Sequence, residues 1–179
     1  MINTHDEILV IAEDFNIYTP EIALNIDKRV IDGYVLLAQR TDLSDLIGQK
    51  MYADIIVNKA LPAYQTLING GVIVDGNPYY GIKPYLCYSA YVKMIFEHSA
   101  KMTASGLVKK SLDFSENIKS GEMKTQIDLN SQKAQKYGQG ILCYLNENKS
   151  TFTAFECFSN EKMPKTQITK VARGFDKYL

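Results

Sequence analysis

The chain has 179 residues, 46% hydrophobic and 22% charged, with a formal net charge of zero. That length suits one compact domain with a sizeable core, and the neutral balance excludes a global field that recruits nucleic acid or a membrane surface. No apolar run reaches the roughly 18 residues that a bilayer crossing needs, and the acidic opening MINTHDEILVIAEDF lacks the basic start of a signal peptide, so a cytoplasmic origin is expected.

Thr19-Pro20-Glu21 reads as a helix start, with Thr as cap, Pro at the first helical position and Glu at the positive end of the dipole. Ile22, Ile26, Val30, Gly33 and Leu37 then recur at helical spacing, widened by Ile31, Tyr34 and Val35, and predict an amphipathic helix ending near Arg40. Gly33 within it is a candidate for close backbone approach. Residues 41–71 predict a turn around Leu43–Leu46, with Asp42 and Asp45 as helix-start residues, then one broken or two short helices closed by Gly70-Gly71. VIVDGNPYYG is a loop or a small hairpin turning at Asp75-Gly76.

Residues 82–99 form the most apolar segment. In YLCYSAYVKMIF, Lys93 is the one charge and neither Gly nor Pro intervenes, so a central helix buried on nearly all sides is predicted. Tyr79, Tyr80, Tyr85, Tyr88 and Tyr91 are expected in and around the core, with hydroxyls reaching its edge. Residues 103–120 are polar, with Leu107, Val108, Leu112 and Phe114 scattered among them, and predict a long loop that docks on something. Helical spacing returns over 121–147, polar in its first half and apolar in its second, with Gly138 and Gly140 marking a bend or a close crossing.

From Ser150 the character changes again. Phe152, Phe155 and Phe158 stand among β-formers, followed by Pro164 and a basic end. Two readings are open: a tail that docks on a neighbour, or a strand or turn folded back over the bundle. The expected organisation is therefore a mainly α bundle of four to five helices over 1–149, with an extended tail over 150–179. The termini carry opposite charge: residues 1–27 hold six acids and no Lys or Arg, whereas 159–179 hold five bases against two acids. Attraction between neighbouring subunits, or simply two solvated ends, accounts for that pattern.

Chemistry-bearing motifs are sparse. Cys87, Cys143 and Cys157 form no CxxC pair and read as reduced core thiols. His5 and His98 sit in no HExxH or zinc spacing. No GxSxG, GxGxxG or P-loop sequence occurs. The expectation is no catalytic residue, no cofactor and no metal. Lys109-Lys110 and the basic tail are suited at most to non-specific contact with DNA phosphates.

In order along the chain, TPEIALNIDKRVIDGYVLLAQRTDLSDLIG, MYADII, GIKPYLCYSAYVKMI, TASGLVKK and GILCYLNEN resemble the head–tail connector (head-completion adaptor) proteins of tailed bacteriophages, especially those of Bacteroidetes and crAss-like phages. The resemblance implies a non-enzymatic virion protein, assembled in the host cytoplasm, that forms a dodecameric ring beneath the portal at the head–tail vertex. It implies as partners further copies of the chain, the portal protein and the next adaptor or tail protein, with packaged DNA close by and no membrane. The contacts are then expected from Leu107, Val108, Lys109 and Phe114 in the loop, and from Phe152, Phe155, Phe158, Arg173, Phe175 and Tyr178 in the tail. Alternatives are a tail-terminator or minor capsid protein, and a small helical enzyme or ligand-binding bundle with a site among Tyr85, Tyr88, Tyr91 and His98.

Overall fold

A computed structural model describes residues 7–19, 27–74, 76–99, 101–103, 106–108 and 120–156. The architecture is mainly helical, as expected. In chain order the elements are α1 (Ala12–Tyr18), α2 (Lys28–Ala38), a π-helical stretch (Gln39–Leu43), α3 (Ser44–Ile47), α4 (Gln49–Asn58), α5 (Pro62–Asn69), strands β1 (Val72–Val74) and β2 (Asn77–Tyr79), α6 (Ile82–Ser99), strands β3 (Lys101–Thr103) and β4 (Gly106–Val108), and α7 (Ser120–Glu147).

The centre is α6, packed along α7 on one side and against α1 and α2 on another. Ile82, Tyr85, Leu86, Cys87 and Ala90 are completely buried, and Val92 and Met94 nearly so. Such burial on successive helical positions needs neighbours all round, which explains the unbroken apolar sequence. Helix α7 repeats the predicted asymmetry. Its first half buries a thin stripe of Ile127, Asn130 and Ala134, and its second half buries Ile141, Leu142, Tyr144 and Leu145. Gly138 marks a close crossing, because a Cβ there would stand 3.2 Å from the Tyr85 ring and 3.4 Å from Leu46. The Tyr79 and Tyr144 rings stack at 4.4 Å beside it, a contact worth about 0.5–1.5 kcal/mol beyond its buried area.

Helices α4 and α5 form as the sequence predicts, with Gly48 at φ +85° before α4 and Pro62 opening α5, but the turn expected around Leu43–Leu46 is helical and continues the run from α2 into α3. Strands β1 and β2 pair antiparallel, Val72 with Tyr79 and Val74 with Asn77. The base of this hairpin brings two backbones into direct contact: a Cβ on Gly70 would lie 2.3 Å from the Tyr80 carbonyl carbon, and one on Gly81 2.4 Å from the Ile68 oxygen. Only glycine fits at either position.

Several expectations are corrected. Thr19 closes α1, its hydroxyl donating to the Phe15 carbonyl; the helix start expected at Thr19-Pro20-Glu21 runs into residues outside the described ones. The cap of α2 is Asp27, which accepts from the Arg29 N–H at 2.9 Å, while residues 20–26 lie outside the described residues. Helix α2 buries Ile31, Val35 and Ala38, whereas Gly33 and Leu37 face outward and nothing approaches Gly33. The two apolar stripes overlap on this helix, and spacing alone does not say which one meets the core. Neither Asp42 nor Asp45 caps a helix: Asp42 lies inside the continuous run from α2 to α3, and Asp45 stands in the first turn of α3. Part of the expected 103–120 loop is the hairpin β3–β4, with Lys101 opposite Val108 and Met102 opposite Leu107. Cys143 is exposed rather than buried, because it lies on the outer face of α7. Residues 150–156 fold back over the bundle, with Phe152 1% and Phe155 7% exposed, so the boundary expected at 149/150 does not divide core from tail. Phe152 meets the Tyr64 ring edge-on at 5.2 Å.

Candidate functional site

Two acid–base pairs converge on the π-helical stretch. A π turn spaces its hydrogen bonds one residue wider than an α turn and is common where a side chain must be re-aimed. Here Gln39, Asp42 and Leu43 all turn inward. The Gln39 amide accepts from the Leu9 N–H at 2.8 Å and donates to the Glu7 carbonyl at 3.1 Å, fastening the N-terminal segment like a strand partner. Arg40 grips the Glu7 carboxylate with two nitrogens, and the Tyr52 hydroxyl donates to the same carboxylate at 2.7 Å. The Arg40 hydrogen bond holds the Glu7 carboxyl below its usual range, against the opposing effect of burial.

Asp42 points to the opposite side, towards α6. Its Oδ1 lies 3.0 Å from Lys93 Nζ and 3.1 Å from the Thr41 hydroxyl. The Tyr85 hydroxyl donates to the Asp42 carbonyl at 3.0 Å. The side chain is only 9% exposed, and Oδ2 has no donor among the described residues. Burial therefore raises the Asp42 carboxyl above its usual range, outweighing the nearby Lys93 ammonium.

The pair forms the floor of a cleft of about 270 Å³. Leu37 and Thr41 line one wall, Ser89, Val92, Lys93 and Phe96 line a second, and Ile127 of α7 closes the end. Asp45 and Glu97 lie exposed at its rim, with Glu97 accepting from the Tyr34 hydroxyl at 3.0 Å. Three carboxylates against one ammonium leave the lining at −2. Chemically, the cleft suits a hydrogen-bond donor or cation carried on an apolar stem. Among the described residues, no group of three or more His, Cys, Asp or Glu side chains is placed to hold a metal ion.

These residues have little prominence in the sequence. Asp42 resembles a helix-start acid in the run RTDLSD. The available signal was Lys93, a lone charge in an apolar helix, since a cation there needs a buried partner. Of the residues expected to make contacts, Leu107 and Val108 fall on strand β4, and Phe152 and Phe155 belong to the core. Lys109, Phe114, Phe158, Arg173, Phe175 and Tyr178 lie outside the described residues. The tyrosine site is not open as a unit: Tyr85 is completely buried and Tyr88 stacks on Tyr137 at 5.8 Å. One exposed apolar surface that the sequence does not single out is hairpin β1–β2, where Ile73 is 77% exposed and pairs across the ladder with exposed Pro78.

Compared with known proteins, residues 43–164 match a family of unknown function, DUF6712, and the chain belongs to that family. The match begins one residue after Asp42 and runs through α7 and the folded-back turn. No curated protein and no solved structure matches the chain.

Proposed function

We propose that the protein is a structural, non-enzymatic virion subunit of a tailed phage, forming a ring beneath the portal that joins head to tail. The reading is supported first by the ordered resemblance of its helices to head–tail connectors. The structural observation that carries it is hairpin β1–β2. It stands on a close backbone contact, Gly70 against Gly81, and presents Val72, Ile73 and Pro78 to solvent. An apolar residue as open as Ile73 on a rigid hairpin is suited to insertion into a neighbour.

Heterologous contacts of one patch with a different patch close into a ring when the rotation permits. Each subunit then gains from neighbours already held on the portal, which raises the effective concentration for the next contact. Arm and tail residues, from Leu107 to Phe114 and from Phe158 to Tyr178, supply further contacts to the portal and the next tail component.

The test is co-expression of the full chain with a portal protein from the same phage, followed by native mass spectrometry and electron microscopy. A dodecameric ring on the portal is the expected result, and Ile73→Asp is expected to abolish it while leaving the monomer folded. A chain that stays monomeric at high concentration and ignores the portal overturns the reading. Particle imaging that places the chain away from the vertex selects a tail-terminator or minor capsid role instead.

A further inference from the structure

The Asp42–Lys93 cleft has a chemistry that selects its occupant. Its walls are aliphatic and aromatic at Leu37, Val92 and Phe96, and its rim carries the carboxylates of Asp45 and Glu97. An anionic ligand meets a lining of −2 and is repelled. A purely apolar ligand leaves the rim charge unanswered. A lysine or arginine side chain suits both features, laying its methylenes along the walls and its charge beside the rim carboxylates.

The same chain carries such side chains where they are needed. Residues 159–179 contain Lys162, Lys165, Lys170, Arg173 and Lys177 against Glu161 and Asp176, a net +3. Their root lies near the cleft, because Glu156 pairs with Lys50 at 3.1 Å at the start of α4. Lys50 is five residues from Asp45, so no more than about 18 Å of backbone separates that pair from the cleft rim. Residues 157–173 extend to roughly 60 Å at full stretch, ample to return to it.

We propose that the cleft over the Asp42–Lys93 pair is the receptor for the basic C-terminal segment 162–177 of this chain, seating one of its lysine or arginine side chains between Asp45 and Glu97. The assignment stands whether or not the protein is a connector.

The test uses the full chain and follows chymotrypsin cleavage after Phe175, which lies within the basic stretch but is not itself a base. Asp45→Lys with Glu97→Lys is expected to speed that cleavage by about ten-fold or more, since each rim pair contributes up to about five-fold. Both rim residues are exposed, so an unchanged melting temperature checks that the variant folds. Reversing the segment with Lys165→Glu, Lys170→Glu and Arg173→Glu is expected to release it alone, and to restore protection in the reversed-rim background. Carbodiimide cross-linking of the unaltered chain is expected to join a tail lysine to Asp45 or Glu97. Equal cleavage rates in all four proteins, or tail lysines joined only to carboxylates elsewhere, overturn the proposal. So does native mass spectrometry showing a small amine held in the cleft while the tail is cleaved freely.

Discussion

The two acid–base pairs on the π-helical stretch differ in how completely each carboxylate is satisfied. Glu7 receives two nitrogens of Arg40 and the Tyr52 hydroxyl, and Arg40 remains half exposed to water. Asp42 receives Lys93 and Thr41 on one oxygen and, among the described residues, nothing on the other, in a more buried setting. The first arrangement is a strap: it fixes the segment around Glu7 and Leu9 to the bundle, and nothing about it calls for another partner. The second is a charge pair whose desolvation is incompletely compensated. Both arise from the same wide turn, which places Arg40 and Asp42 on opposite sides of one short stretch.

The sharpest way to break this contrast is to remove one cation from each pair. Lys93→Met leaves the Asp42 carboxylate buried without its ion partner and is expected to cost about 3–5 kcal/mol, measured by urea unfolding. Adding Asp42→Asn to it is expected to recover most of that loss, because the uncompensated charge is gone. Arg40→Met is expected to cost only about 1–2 kcal/mol, since half-exposed Arg40 is screened by solvent and Tyr52 still serves Glu7. If Lys93→Met proves no more costly than Arg40→Met, the distinction between strap and strained pair fails.

The difference in legibility between these pairs and the scaffold has a physical basis. Helix α6 is readable because it is apolar on nearly all sides, and α7 because it buries a periodic stripe and its crossing at Gly138 announces itself as a gap in side-chain volume. The β1–β2 hairpin is readable from Asp75-Gly76, whose conformational preference is local. The π stretch leaves no comparable trace: one extra residue in a helix changes no periodicity over so short a span, and QRTDL is ordinary helix-compatible sequence. The orientation of α2 was likewise ambiguous, since Ile31 and Val35 compete with Val30 and Leu37 for the core until α6 is in place. Phe152 and Phe155 looked like docking residues because their partners, Tyr64 and Tyr144 among them, are remote in sequence. Asp42 was hidden for the same reason, as Lys93 lies on another helix.

A smaller effect sharpens the comparison further, because the two carboxylates titrate in opposite senses. Glu7 is held below its ordinary value of 4.5, so folding favours its ionised form. Its contribution is present above that value and is lost as pH falls through the lower folded-state value. Asp42 is held above its ordinary value of 3.8, so its ionised form opposes folding. That cost is full above the raised folded-state value and disappears as pH falls towards 3.8 and below. Unfolding free energies measured from pH 7 down to pH 3 therefore separate the pairs. The unaltered chain is expected to lose its advantage over Glu7→Gln as the solution is acidified, and to gain on Asp42→Asn over the interval just above pH 3.8. A shared direction in the two curves means that Lys93 compensates Asp42 as fully as Arg40 compensates Glu7, and that the missing donor at Oδ2 has no energetic consequence.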